Sequence, residues 1–414
     1  MVDLKSSFTL PSGRVLPNRI AKSAMSERLA AKDGVPNQGH LELYRRWGAG
    51  GAALLITGNV MVDARAIGES GNVILEAGAD LDPFRAWAKA ARHEGAQVWM
   101  QINHPGRQSP RHLSRVPVAP SAICLKGAGG MFATPRALEP DEIEDIIERF
   151  ATTAMLAEQA GFDGVQIHGA HGYLISQFLS PYTNRRTDAW GGTPAKRRRF
   201  LLEIVSAIRS RVSPRFAVGL KLNSADFQRG GFSEEESTAV IAELDALGLD
   251  LLEISGGTYE TAAMFDEPHQ RESTQKREAY FLEYAERVRA TVRTPLMVTG
   301  GFRTAAGMTR ALESGAVDVV GMARPLAVEP DLPARLCADP TAAARPVRLA
   351  IGFKTIDSLV QGAWYQVQIE RLARGLEPDP HTSRILAALK YFFPRYAFDP
   401  IRPATVTQPL HAPL

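Results

Sequence analysis

The chain has 414 residues, 45% hydrophobic and 22% charged, with 48 Lys and Arg against 45 Asp and Glu and a net charge of +3. This composition suits a folded protein with a sizeable core, and the charge is too balanced for a nucleic-acid partner. The two cysteines, Cys124 and Cys337, offer neither a disulfide framework nor a C-x-x-C cluster for zinc or iron–sulfur, which fits a reducing, cytoplasmic setting.

In chain order, the N-terminal MVDLKSSFTL lacks an apolar signal core. No apolar run reaches the roughly 18 residues of a membrane span, so no membrane partner is expected. FTLPSGRVLPNRI (Phe8–Ile20) reads as a β-hairpin with Gly13 in its turn, placed to close the bottom of a barrel. From there one pattern recurs, in which a helix-like segment ends at Gly and an apolar, β-rich run begins. Examples are GAGGAALLITGN (Gly48–Asn59), EGAQVWMQIN (Glu94–Asn103), AGFDGVQIHGA (Ala160–Ala170), LGLDLLEISGG (Leu247–Gly257) and SGAVDVVGMAR (Ser314–Arg324). The Gly caps the helix, and a run apolar on successive residues suits a strand buried on both faces. Eight strands are expected: Arg19–Met25, Ala53–Gly58, Val98–Ile102, Gly164–His168, Ala217–Leu222, Leu251–Ser255, Leu296–Thr299 and Val317–Met322. Among the helices between them, PDEIEDIIERFATTAMLAEQAG puts Ile143, Ile146, Ile147, Phe150 and Ala154 on one face, and Ser233 is placed to cap FSEEESTAVIAELDALG.

Strand–helix alternation on this scale predicts an α/β fold, a (β/α)8 TIM barrel. The rival doubly wound sheet carries G-x-G-x-x-G after its first strand, and none follows Met25. The barrel is assigned residues 1–340. Residues 341–414 form a helical and Pro-rich extension with an aromatic cluster, YFFPRY (Tyr391–Tyr396), read as packing on the barrel or meeting another subunit of a homo-oligomer.

Chemistry in such barrels sits at the C-terminal ends of the strands. The polar residues there are Ser26 after the first strand, Gln101 and Asn103 at the third, and His168, His171 and Tyr173 at the fourth. Lys221 and Asn223 lie at the fifth, Thr299-Gly300-Gly301 at the seventh and Ala323-Arg324 at the eighth. Glycines, a helix starting near Thr304 with free N–H groups, and Arg324 make the last two loops a phosphate-site pattern, or else ordinary turns with a surface arginine. The spacing of His168 and His171 leaves open a shared metal ion, a shared anionic oxygen, or structural hydrogen bonds. Zinc would need a third ligand, and the early H-x-H of metal-dependent barrel hydrolases is absent.

HGAHGYLISQFLSPYTNRRTDAWGG (His168–Gly192) resembles the signature of the old yellow enzyme family, the FMN-dependent NAD(P)H:ene reductases. NRIAKSAM, WMQINHPGRQ, TGG and GMARPL resemble that family's other landmarks in the same order. The resemblance covers about residues 1–340. It implies an FMN-binding barrel with non-covalent FMN, NADH or NADPH as hydride donor, and a small α,β-unsaturated carbonyl compound as substrate. By that resemblance Ser23, Ala24, Met25 and Ser26 approach the flavin, Ser26 standing where the family usually has Thr or Cys. Gln101 bonds the flavin's polar edge. Lys221 stands where Arg is common, keeping the charge but losing the fork geometry. Gly300, Gly301, Ala323 and Arg324 hold the phosphate. His168 and His171 aim ring N–H groups at the carbonyl oxygen as negative charge develops there. Tyr173 gives a proton to the α-carbon, as an ordinary phenol of pKa about 10 can at neutral pH.

Nearby residues receive structural readings. Asn184, Arg186 and Asp188 should fix the long loop, and KRRR (Lys196–Arg199) should lie on a solvated helix face. His104 and Arg107 either face the pocket or order their loop. Lys221 could instead pair with a carboxylate such as Glu253. Three functional alternatives remain: a flavin-dependent amine dehydrogenase or demethylase, whose related branch carries an iron–sulfur cysteine cluster absent here; a metal-dependent TIM-barrel hydrolase; and a non-catalytic flavin-binding protein.

Overall fold

The computed structural model describes residues 2–125, 130–255, 272–347, 349 and 354–392. In chain order its strands are β1 (Phe8–Thr9), β2 (Val15–Leu16), β3 (Ile20–Lys22), β4 (Leu54–Met61), β5 (Val73–Ile74), β6 (Gln97–Asn103), β7 (Val118–Ala119), β8 (Arg136–Ala137), β9 (Gly164–Gly169), β10 (Ala217–Asn223), β11 (Leu251–Ser255), β12 (Leu296–Thr299) and β13 (Val319–Met322). Eight of them pair in parallel in the order β3-β13-β12-β11-β10-β9-β6-β4, and β3 pairs β4 to close the ring. This is the (β/α)8 barrel expected from the alternation. The helices are α1 (Gln38–Ala49), α2 (Asp82–Ala91), α3 (Pro140–Gln159), α4 (Leu174–Leu179), α5 (Pro194–Arg211), α6 (Glu234–Asp245), α7 (Glu272–Arg289), α8 (Ala305–Glu313), α9 (Leu332–Ala338), α10 (Lys354–Ala373) and α11 (Arg384–Phe392).

The core divides at the sheet. Outward strand residues such as Val98, Val165, Ile167, Val218 and Val320 pack with Ile143, Phe150 and the other helix faces. Inward residues Ala21, Leu54, Ile56, Trp99, Ala217, Leu251, Met297 and Val319 fill the barrel. β1 and β2 are antiparallel around Gly13 at φ 77°. Leu10 and Leu16 from this hairpin join the inner cluster and plug the barrel bottom, each contributing about 2 kcal/mol by burial.

Several boundaries differ from the sequence reading. β3 spans only Ile20–Lys22, so Ser23–Ser26 follow the strand rather than end it. β4 runs on to Met61 through a register shift between Ile56 and Asn59. KRRR is not uniformly solvated. Arg197 is buried, donating to the Leu179 carbonyl at 3.0 Å and pairing with Glu236, while the Arg199 guanidinium lies 4.2 Å from the Trp190 ring. Within the described part of the extension, α10 lies against the barrel. α10 buries Ala363, Trp364 and Leu372 and contacts α1 and the turn Arg324–Ala327. Of the aromatic cluster, Tyr391 lies 4.1 Å from the Arg28 guanidinium, and Phe393–Tyr396 lie outside the described residues.

Candidate active site

Side chains alternate along a strand, so the inner face can be followed to the mouth. Gly164 and Gly219 face Trp99 inside the barrel: a Cβ on Gly219 would lie 2.7 Å from the indole. Two residues further on, Gln166 and Lys221 face inward too, followed by His168 and Asn223. Glu253 and Ser255 take the same parity on β11, and Gln101 and Asn103 on β6.

A buried chain of polar groups crosses this layer. Lys221 Nζ lies 3.0 Å from Glu253 Oε1, confirming the pairing weighed from sequence. Gln166 Nε2 donates to Glu253 Oε2 at 2.7 Å, and Gln101 Nε2 donates to Gln166 Oε1 at 2.7 Å. An ionised carboxylate only accepts, so it fixes both amide orientations. Gln101 therefore keeps its carbonyl oxygen and one N–H for a ligand.

His168 and Tyr173 meet edge to face at 4.8 Å between ring centroids, and His168 and His171 at 5.1 Å. His168 Nδ1 accepts from the Ala170 N–H at 3.3 Å, which puts the proton of a neutral ring on Nε2. His171 Nε2 lies 2.8 Å from Ser255 Oγ. Burial, followed by the nearby Lys221 charge, holds both imidazoles well below their ordinary pKa, so both are neutral donors at physiological pH. His171 sits in the left-handed region at φ 61°, a placement that costs of order 1 kcal/mol. Side chains hold it there: its N–H donates to Asn223 Oδ1 at 3.2 Å and its carbonyl accepts from Gln108 Nε2 at 3.1 Å. Tyr173 is buried, and its hydroxyl oxygen accepts from Asn59 Nδ2 at 3.4 Å.

The neighbouring loop readings resolve toward structure. His104 Nδ1 accepts from the Gly106 N–H at 3.1 Å, and Arg107 Nη1 donates to the Ile123 and Cys124 carbonyls at 3.3 and 3.4 Å. Asn184 ties Phe178 to Trp190, and Arg186 binds Asp188 and the Pro120 and Leu138 carbonyls.

At the other end of the mouth, Ser23 Oγ lies 2.7 Å from Thr299 Oγ1. Gly321 leaves room for that contact, since a Cβ there would fall 2.0 Å from Thr299 Oγ1. Ala24, Met25 and Ser26 are half-buried beyond β3. Gly300 and Gly301 turn at φ 119° and 84°, backbone that only glycine takes freely. Two of the N–H groups at the start of α8 are already engaged: Thr304 Oγ1 caps Gly307 N at 3.1 Å and the Ala305 N–H is bound to the Ala342 carbonyl at 3.0 Å. An anion there would rely on the glycine turn and Arg324, which donates from Nη1 to Gln361 Oε1 at 3.2 Å.

Sequence reasoning passed over Asn59 because the β4 register shift, and not the simple alternation, turns it inward opposite Gln101. It placed Asn103 at a strand end without giving it a role. Asn59 Oδ1 and both amide atoms of Asn103 are buried without a hydrogen-bond partner among the described residues. No group of three His, Cys, Asp or Glu among those residues could hold a metal ion.

The model of the NADH:flavin oxidoreductase / NADH oxidase family matches residues 8–340. The chain belongs to this family. It is an oxidoreductase whose cofactor is FMN and whose family reductant is NADH. A family relative, the NADH-dependent flavin oxidoreductase iliE of Hypocrea jecorina, is 40% identical over 80% of this chain and 89% of its own length. The iliE protein of Neonectria sp. is 39% identical over 80% of this chain, which spans only 47% of that longer protein. Morphinone reductase in complex with tetrahydroNAD superposes with a TM-score of 0.71 at 27% identity, over 86% of this chain and 96% of the other. The mouth fits the family's cofactor on its own chemistry. It offers the unpaired Asn59 Oδ1 and the unpaired Asn103 amide, an amide and a cation at Gln101 and Lys221, and a glycine turn and an arginine on the loops after β12 and β13.

Proposed function

We propose that the protein reduces the activated C=C bond of α,β-unsaturated carbonyl compounds with NADH. Bound FMN would supply the hydride carriage between reduced nicotinamide and substrate. Gln101 would meet the flavin's polar edge, Lys221 would place positive charge near its pyrimidine, and Ser23–Ser26 would lie alongside. Gly300, Gly301, Ala323 and Arg324 would take the phosphate.

The carrying observation is the edge-to-face cluster of His168, His171 and Tyr173, with a defined tautomer at His168. His168 offers Nε2–H to a substrate oxygen. If Ser255 donates to His171 Nε2, the second ring's proton sits on Nδ1, the nitrogen left for the same oxygen. Two preorganised neutral donors stabilise that oxygen as β-carbon reduction makes it negative. Tyr173 then protonates the α-carbon, and the Asn59 N–H on its oxygen steadies the phenolate left behind. Across the cycle one enone, one NADH and one proton give the saturated carbonyl and NAD+.

The purified protein should show a visible flavin band that bleaches on anaerobic NADH and returns with an enone. A protein without that band would refute the reading. Tyr173→Phe should slow the enone half-reaction about 100-fold, the range of one general-acid contribution, and leave bleaching by NADH near the wild-type rate. Wild-type rates in both half-reactions would remove Tyr173 from the chemistry.

A further inference from the structure

We propose that α10 completes the cofactor's phosphate site, with Gln361 and Tyr365 as positioning residues for Arg324. This rests on the reading of Arg324 as the phosphate cation. Gln361 and Tyr365 are four residues apart and so share one face of the helix. Gln361 Oε1 takes a hydrogen bond from Arg324 Nη1 at 3.2 Å, and the Tyr365 ring centroid lies 6.0 Å from the Arg324 guanidinium carbon. These contacts, an amide oxygen and a ring face, can each orient a planar guanidinium.

The helix is anchored beside the site at a second point. Gln366 Nε2 donates to the Glu27 carbonyl at 2.5 Å, one residue beyond the Ser23–Ser26 segment. Glu27 in turn accepts from the Gly58 N–H at 2.8 Å. Gln361, Tyr365 and Gln366 are all buried, while Trp364 and Gln368 tie the same helix to the Thr382 and Asp379 carbonyls of its own extension. One helix thus touches both chain segments, after β3 and after β13, that flank the proposed cofactor. The extension then serves cofactor retention as well as packing.

The test compares FMN with riboflavin, which lacks the phosphate, by titrating the full-length apoprotein and following flavin fluorescence. Gln361→Leu should weaken FMN about tenfold, the scale of one hydrogen bond to a charged group, and leave riboflavin affinity unchanged. Unchanged riboflavin binding also reports that the variant is folded. Tyr365→Leu should act in the same direction and Tyr365→Phe should restore wild-type preference, because the ring face and not the hydroxyl meets Arg324. Arg324→Ala separates the two claims. If it abolishes the preference for FMN while Gln361→Leu and Tyr365→Leu keep it, α10 does not position Arg324 and the inference is overturned. If Arg324→Ala keeps the preference, the phosphate reading itself fails and takes this inference with it.

Discussion

Lys221 shows how one residue can carry two loads. Its ammonium neutralises Glu253, which is completely buried and also orients Gln166 and Gln101. Removing one partner of a buried pair strands the other charge, whereas replacing both with neutral groups is often tolerated. Lys221→Met should therefore destabilise the protein by about 3 kcal/mol in urea denaturation, and Lys221→Met with Glu253→Gln should recover most of it. On the proposed placement of Lys221 near the flavin, the midpoint potential should stay lowered in both variants, because a cation there would favour the anionic reduced cofactor and is missing from each. A double variant with wild-type potential would mean that Lys221 acts through Glu253 alone. The sequence already held both readings of Lys221, flavin contact and carboxylate partner. They turn out to be compatible, since a lysine can present one donor to a carboxylate and others to a ligand.

At the level of elements, strands were legible wherever Gly ended a helix and an apolar run followed, because both signals are local. Their ends were less so. The register shift in β4 reverses the alternation, and no local rule marks where it falls, so Asn59 stayed hidden while Gln101 did not. The contacts of α10 were illegible for another reason: a helix face carrying Gln361 and Tyr365 reads as ordinary amphipathic surface until the fold brings Arg324 beneath it. The segment after β3 depends on a similar long-range arrangement. Lys22 and Glu27 flank it, both buried against α1, with Lys22 Nζ 2.6 Å from the Ile56 carbonyl and 4.3 Å from the Trp47 ring centroid. Glu27 lies 3.8 Å from Lys22 and accepts from the Tyr44 hydroxyl and the Gly58 N–H. Burial pushes Lys22 down to about 8 and the Glu27 carboxyl up. Glu27→Ala would remove the counter-charge of buried Lys22 and the acceptor of the Tyr44 hydroxyl and the Gly58 N–H. A loss of roughly 3–5 kcal/mol is expected, read from the denaturation midpoint. A loss below 1 kcal/mol would show that water or a shifted side chain replaces the carboxylate.

For the whole molecule, the buried histidines set a direction for acid sensitivity. Burial takes His40 down to about 3 and His104 to about 4 from an ordinary 6.5. The unfolded chain takes up these protons as pH falls through 6.5, while the folded chain refuses them until far lower. The unfolded state therefore binds more protons below 6.5, and stability falls with pH. The contribution is complete above 6.5. Each histidine's contribution falls by roughly 1.6 kcal/mol between pH 6.5 and 5, the slope approaching ~1.4 kcal/mol per unit only toward pH 5. Burial also raises the Glu27 and Asp226 carboxyls, and these work the other way: the folded state takes up their protons first, offsetting part of the loss toward the carboxylate range. Net stability should still decline from pH 6.5 to 5, where ordinary carboxylates have barely begun to titrate. His104→Asn keeps a polar side chain at this position but cannot take the proton. In urea denaturation across that range its stability–pH slope should be shallower than wild type by about 1 kcal/mol per pH unit on average. An unchanged slope would mean that His104 is protonated in the folded protein despite its burial.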